Sequence, residues 1–191
     1  MPKPIPNTQT GSLTDHQHGT NDTLIGVDNA INTLYGDAFD MFDHARGGND
    51  TLIGGANSDN SLHGDAFFMF DNARGGNDTL ISGPGTDHMW GDAQVINGVA
   101  ASPTAPVGSV VTGTDTFVFA PANGNDDVND FRQSDHDRID VRAYGFHDIA
   151  DMTITADGSG NTRIAFDAND SVTLVGISDP HILHASDFLL V

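Results

Sequence analysis

The chain has 191 residues and a formal charge of −20, from 27 acidic and only 7 basic side chains. Every acidic residue is Asp and Lys3 is the sole lysine, so nucleic acid and anionic membrane surfaces are disfavoured as partners. With no cysteine it has neither disulfides nor thiolate metal sites, and no apolar run approaches the roughly 20 residues of a membrane span.

Charge repulsion of this size opposes compaction unless cations neutralise it. A hydrophobic content of 37% with 11 Phe argues against a disordered acidic chain, and 22 Gly point to loops folded around hard cations. The opening stretch, Met1-Pro-Lys-Pro-Ile-Pro-Asn, lacks the apolar core of a cleavable export signal. Residues 1–18 read as an N-terminal tail. His16 and His18 could face one side of an extended segment behind Asp15, but a solvated tail is preferred over a transition-metal site.

From residue 19 the chain repeats itself. Asn-Asp-Thr-Leu-Ile occurs at 21–25, 49–53 and 77–81, which spaces Asp22, Asp50 and Asp78 by 28. A second set lies out of phase: Leu-Tyr-Gly-Asp-Ala at 34–38, Leu-His-Gly-Asp-Ala at 62–66 and Met-Trp-Gly-Asp-Ala at 89–93. Asp115, in a last turn at 113–119, follows Asp87 by 28. Glycine lets backbone carbonyls converge on an ion, and the Asp that follows adds a carboxylate. Oxygen ligands of this kind suit Ca²⁺ rather than a softer metal. Each site is followed by a short strand with one inward apolar residue: Leu24, Leu34, Leu52, Leu62, Leu80, Met89 and Phe117. Two half-turns make one coil, and the surplus residues at about 38–46 and 66–74 read as extruded loops.

The repeat resembles the RTX, or haemolysin-type, nonapeptide G-G-x-G-x-D-x-U-x, where U is a large apolar residue. Gly47-Gly-Asn-Asp50-Thr-Leu and Gly75-Gly-Asn-Asp78-Thr-Leu match its second half well, and Gly83-Pro-Gly85-Thr-Asp87-His-Met is another good copy. The turns through Asp28 and Asp59 are stretched, which leaves their ligating acid open. The resemblance implies an all-β fold, a right-handed parallel β-roll over 19–120, with several calcium ions between successive turns. The expected ligands are Asp22, Gly47, Asn49, Asp50, Gly75, Asn77, Asp78, Gly83, Gly85, Asp87 and Asp115, with Asp37, Asp65 and Asp92 from the offset set.

Past residue 121 the pattern changes. Met152-Thr-Ile-Thr and Thr162-Arg-Ile-Ala-Phe flank Ala-Asp-Gly-Ser-Gly-Asn, a hairpin by alternation and turn chemistry, and Ser171-Val-Thr-Leu-Val adds a strand. Residues 121–191 resemble the C-terminal region of serralysin-type secreted proteases, implying an antiparallel β cap. In that family the uncleaved C-terminus directs type I secretion and ends in an acid followed by apolar residues, as Asp187-Phe-Leu-Leu-Val191 does. The implied location is extracellular, with the type I secretion machinery as partner.

Catalysis finds little support. Without Glu there is no His-Glu-x-x-His, and neither a Gly-x-Ser-x-Gly elbow nor a phosphate loop appears. A calcium-binding module is therefore the leading reading. The rival is a small lyase or hydrolase acting on a small-molecule or saccharide ligand. Its candidate residues are His63 with Asp65 or His88 beside it, and His44 at the rim of a loop pocket. Tyr35, His63 and Trp90 share one slot before Gly-Asp-Ala and should stack outward at about 4.8 Å steps. A stabilising ladder is the plainer explanation of them, and a ligand platform the sharper one. The Phe-rich loops Phe39-Asp-Met-Phe-Asp-His and Phe67-Phe-Met-Phe-Asp-Asn should fold together, or against 94–112, into a side core. An apolar pocket or an adhesive surface is the alternative.

Overall fold

Short runs of Thr, Leu, Ile, Val and Phe between Gly- and Asp-rich turns suit the pleated backbone. The computed structural model describes residues 11–191 and is β-rich throughout. Among these residues the helical elements are short 3-10 turns such as Gln133–Asp135 and Ala185–Asp187.

The strands form three sheets. The first runs Thr23–Ile25, Thr51–Ile53, Thr79–Ile81, Thr116–Val118, Arg138–Asp140 and Phe188–Leu189, all parallel. The second stacks Asn32–Tyr35, Ser58–His63, Gly85–Trp90, Asn125–Val128 and Ser171–Leu174 in parallel. It then turns antiparallel through Thr162–Ala165 and Thr153–Ala156, the expected hairpin. The third joins Ser12–Leu13, Ala38–Met41, Ala66–Met69 and Ala93–Ile96 in parallel and closes on antiparallel Val99–Ala100.

Register explains the repeat. In the first sheet Leu24, Leu52, Leu80, Phe117, Ile139 and Phe188 lie side by side. In the second, Leu34, Leu62, Met89, Val128 and Leu174 do the same. Together these two rows form one buried core. Each fully buried Leu contributes about 1.5–3 kcal/mol of apolar transfer, so the core is thin but continuous.

Three features depart from the sequence expectation. The segments 38–46 and 66–74 are not extruded loops. They supply the strands Ala38–Met41 and Ala66–Met69 and a second core of Ala38, Met41, Ala45, Ala66, Met69, Ala73, Ala93, Ile96 and Val110. Ala38 and Met41 are both buried there, which removes apolar surface that an extruded loop would leave wet. The expected side core against 94–112 is present, with Val107 and Val110 as its contribution from that stretch. Secondly, residues 11–18 are not wholly a tail, since Ser12–Leu13 pairs with Asp40 and Met41. The part of the tail at 1–10 lies outside the described residues. Thirdly, Asp115 does not follow Asp87 in space. Phe117 aligns with Leu80, so Asp115 continues the Asp22, Asp50, Asp78 series after the longer excursion through 94–112.

Candidate metal centre

Two rows of carboxylates run through the turns that bracket the third sheet. In one row, Asp22, Asp50, Asp78 and Asp115 are tied head to tail, each backbone N–H donating to the carboxylate of the next repeat. The bonds are 2.6 Å to Asp50, 2.7 Å to Asp78, 2.8 Å to Asp115 and 3.0 Å to Asp137. In the other row, Asp37 accepts from Gly48 N–H, Asp65 from Gly76 N–H at 2.7 Å and Asp92 from Gly113 N–H at 2.6 Å. Asp130 extends it by accepting from Gly91 and Asp92 N–H.

These bonds use only part of each carboxylate. The Oδ2 atoms of Asp50, Asp65, Asp78 and Asp115 are buried and have no hydrogen-bond partner. A buried charged oxygen without a partner costs several kcal/mol unless it is neutralised. Glycines let further oxygens approach these atoms closely. A Cβ added at Gly64 would collide with the Gly91 carbonyl oxygen and with Asp78 Oδ2. One added at Gly36 would meet the Gly64 carbonyl oxygen and Asp50 Oδ2, and one at Gly91 would meet Asp115 Oδ2. Carbonyl and carboxylate oxygens of neighbouring repeats thus converge at contacts so close that only glycine fits between them. That donor set is the one hard divalent cations take.

Electrostatics report the same demand. Burial, reinforced by the neighbouring carboxylates, pushes Asp50 up to about 7 and Asp137 up to about 8. Burial raises Asp37 and Asp130 to about 6. Asp65, Asp78, Asp92 and Asp115 rise far above the ordinary carboxylate range for the same reason. Packed this closely, the group must take up protons or cations.

The expected ligands divide accordingly. Asp22, Asp37, Asp50, Asp65, Asp78, Asp92 and Asp115 belong to the two rows, and a Cβ at Gly47 or Gly75 would strike the Asp65 carboxylate. Asn49 and Asn77 lie on an exposed ladder, where Asn49 Oδ1 accepts from Asn77 N–H and Asn77 Oδ1 from Thr114 N–H. Asp87, with Gly83 and Gly85, sits in a separate seam, where Gly83 N–H and Ser82 Oγ both donate to Asp87 Oδ2. Among the described residues no three His or Asp side chains converge as a ready-made metal cage, so side chains alone do not complete a coordination shell. Sequence reasoning missed Asp130 and Asp137. The second was legible in principle, because Asp137-Arg-Ile lies beside Asp115-Thr-Phe in the register of the sheet.

The histidines do not assemble into an acid–base site. His63 is 1% exposed and sandwiched between Tyr35 at 4.9 Å and Trp90 at 4.7 Å. The ladder is therefore real but not outward in water, because Phe67 covers it. Burial lowers His63 to about 3, so it is neutral, and its Nδ1 has no partner. His88 lies on the face of Gly85–Trp90, with Nδ1 3.0 Å from Asp127 and Nε2 3.7 Å from Asp59. His44 is exposed at a corner and stacks on His16 at 4.8 Å. Asp65 faces its fellow carboxylates rather than His63.

Neither the protein-family models nor the curated proteins compared with this chain match it.

Proposed function

We propose that the protein is a calcium-binding, right-handed parallel β-roll of RTX type, exported and folded where calcium is abundant. One observation carries this reading: the buried, unpartnered Oδ2 atoms of Asp50, Asp65, Asp78 and Asp115, with carbonyl oxygens and glycines packed closely beside them. Calcium supplies positive charge and accepts six to eight oxygens at about 2.3–2.6 Å. In this chain Asp37, Asp65 and Asp92 would hold it from one side, and Asp50, Asp78 and Asp115 from the other. Carbonyls such as those of Gly64 and Gly91 would fill the shell.

Without cations the two rows repel, and the thin Leu core has little to set against that repulsion. With calcium at 100 times its dissociation constant, each site adds about 2.7 kcal/mol to folding. A low-calcium interior would then keep the chain loose for export, and a calcium-rich exterior would close it. The resemblance of residues 121–191 to the C-terminal region of serralysin-type secreted proteases supports type I secretion as the route, and the mixed sheet of these residues supports a cap over the end of the roll. Circular dichroism of EGTA-treated, dialysed protein during a calcium titration is the direct test, run at about pH 8, where the buried carboxyls no longer keep their protons and the metal-free fold is lost. Strand signal should appear cooperatively with calcium and not with magnesium at the same concentration. Full strand content at zero calcium would overturn the reading.

A further inference from the structure

The turns that follow Thr23–Ile25, Thr51–Ile53 and Thr79–Ile81 form a third row whose chemistry differs from the two carboxylate rows. It is made by Asn32, Asn60, Asp87 and Asp126, which align in neighbouring strands of the second sheet. Asn32 Nδ2 donates to the carbonyls of Val27 and Ala30 and, at 2.6 Å, to Asn60 Oδ1. Asn32 Oδ1 in turn accepts from Val27 N–H at 2.8 Å. One repeat on, Asn60 Nδ2 donates to the Gly55 carbonyl and to Asp87 Oδ1, and its own Oδ1 accepts from Gly55 N–H. Asp87 Oδ2 accepts from Gly83 N–H, and Asp126 accepts from Asp87 N–H and Asn123 Nδ2, while the one Ser82 hydroxyl proton lies within reach of Asp87 Oδ2 and Asp126 Oδ2 and serves one of them at a time.

No side-chain oxygen in this row is both buried and unpartnered, unlike those of Asp50, Asp65, Asp78 and Asp115. The row's own carboxylates, Asp87 and Asp126, lie on either side of Ser82 Oγ, at 2.9 and 2.8 Å. Where the other side has the pairs Gly36-Asp37, Gly64-Asp65 and Gly91-Asp92, this side has Gly26-Val27, Gly54-Gly55 and Ser82-Gly83. The fully buried Asn60 amide directs two N–H donors, each partly positive, at the Gly55 carbonyl and Asp87 Oδ1, the oxygens that a cation here would need. An ion entering would be repelled by those donors and would break their hydrogen bonds in a buried site.

We propose that Asn32 and Asn60 exclude calcium from this row, so that metal fastens the roll along one side and side-chain amides fasten it along the other. This inference rests on the calcium reading above. It makes Asn32 and Asn60 specificity-determining residues, deciding by one amide per repeat which turns take an ion. It also separates Gly83, Gly85 and Asp87 from the calcium ligands, although their local sequence is a good copy of the repeat.

The test is calcium stoichiometry by equilibrium dialysis on the full chain, together with NMR of the Asn side-chain amides. Asp87→Asn should bind the wild-type number of ions, whereas Asp78→Asn should lose at least one. Asn60→Asp, which exchanges donors for a carboxylate facing Asp87, should gain one. In wild-type protein with saturating calcium, the Asn32 and Asn60 Nδ2 protons should exchange slowly with solvent. Loss of calcium in Asp87→Asn, an unchanged count in Asn60→Asp, or fast-exchanging Asn60 protons would each overturn the exclusion. Those results leave the calcium reading standing. A wild-type protein that binds no calcium would sink that reading instead, and the amide exchange would still report on the seam.

Discussion

Raising the pH should unfold the metal-free protein, and calcium should reverse the trend. The unfolded chain holds its carboxyls near 3.8, whereas burial holds Asp50 near 7 and Asp137 near 8 in the fold. A raised value in the fold means that the stabilising contribution is complete below the unfolded value and is lost as pH climbs through the folded one. Each group that keeps its proton only in the fold lowers stability by about 1.4 kcal/mol per pH unit across that window. For Asp137, which is almost wholly enclosed, two pH units amount to roughly 3 kcal/mol, a large share of the roughly 5–15 kcal/mol that holds a domain together. Asp37 and Asp130 add smaller windows that close near 6. His63 acts in the opposite sense, because burial lowers it to about 3, but one imidazole is outweighed by several carboxyls. The assay is thermal unfolding of calcium-stripped protein from about pH 5 to about pH 8, repeated in millimolar calcium. The melting temperature should fall steadily with pH in the stripped protein, and should hold or rise when calcium is present. A stripped protein whose stability is flat or climbs with pH would refute the account of the carboxylate rows.

Three substitutions test the packing around those rows. Leu62→Ala removes a fully buried side chain from the centre of the main core and should cost about 2–5 kcal/mol, read by denaturant unfolding in calcium. Gly64→Ala sets a methyl group against the Gly91 carbonyl and the Asp78 carboxylate. It should destabilise by more than about 3 kcal/mol and weaken calcium binding together, measured by melting and by calorimetric titration. His63→Phe keeps the stack between Tyr35 and Trp90 but removes a base whose neutral form is favoured only in the fold. The variant should match wild type above pH 6.5 and gain about 1–2 kcal/mol near pH 5, because the stability that His63 supplies is lost as pH falls below its unfolded value.

The sequence by itself determined the period, the acidic turns and the inward Leu row. These follow from spacing: Asp22, Asp50 and Asp78 recur every 28 residues, and in a stack of equal repeats identical residues must lie side by side. It also located the C-terminal hairpin, since alternation and turn residues are local signals. Only the tertiary structure decided what lies between the repeats. Ala38, Met41 and their counterparts look like loop residues until a second wall buries them, and Asp115 shifts rows because the 94–112 excursion resets the register. The same holds for the candidate site. Asp78 and Asp87 both sit in copies of the Gly- and Asp-rich repeat, yet one has an orphaned buried oxygen and the other meets an amide from Asn60. Ligand chemistry depends on which groups face each other across neighbouring repeats, and that is set by packing between distant segments rather than by the motif that each Asp belongs to.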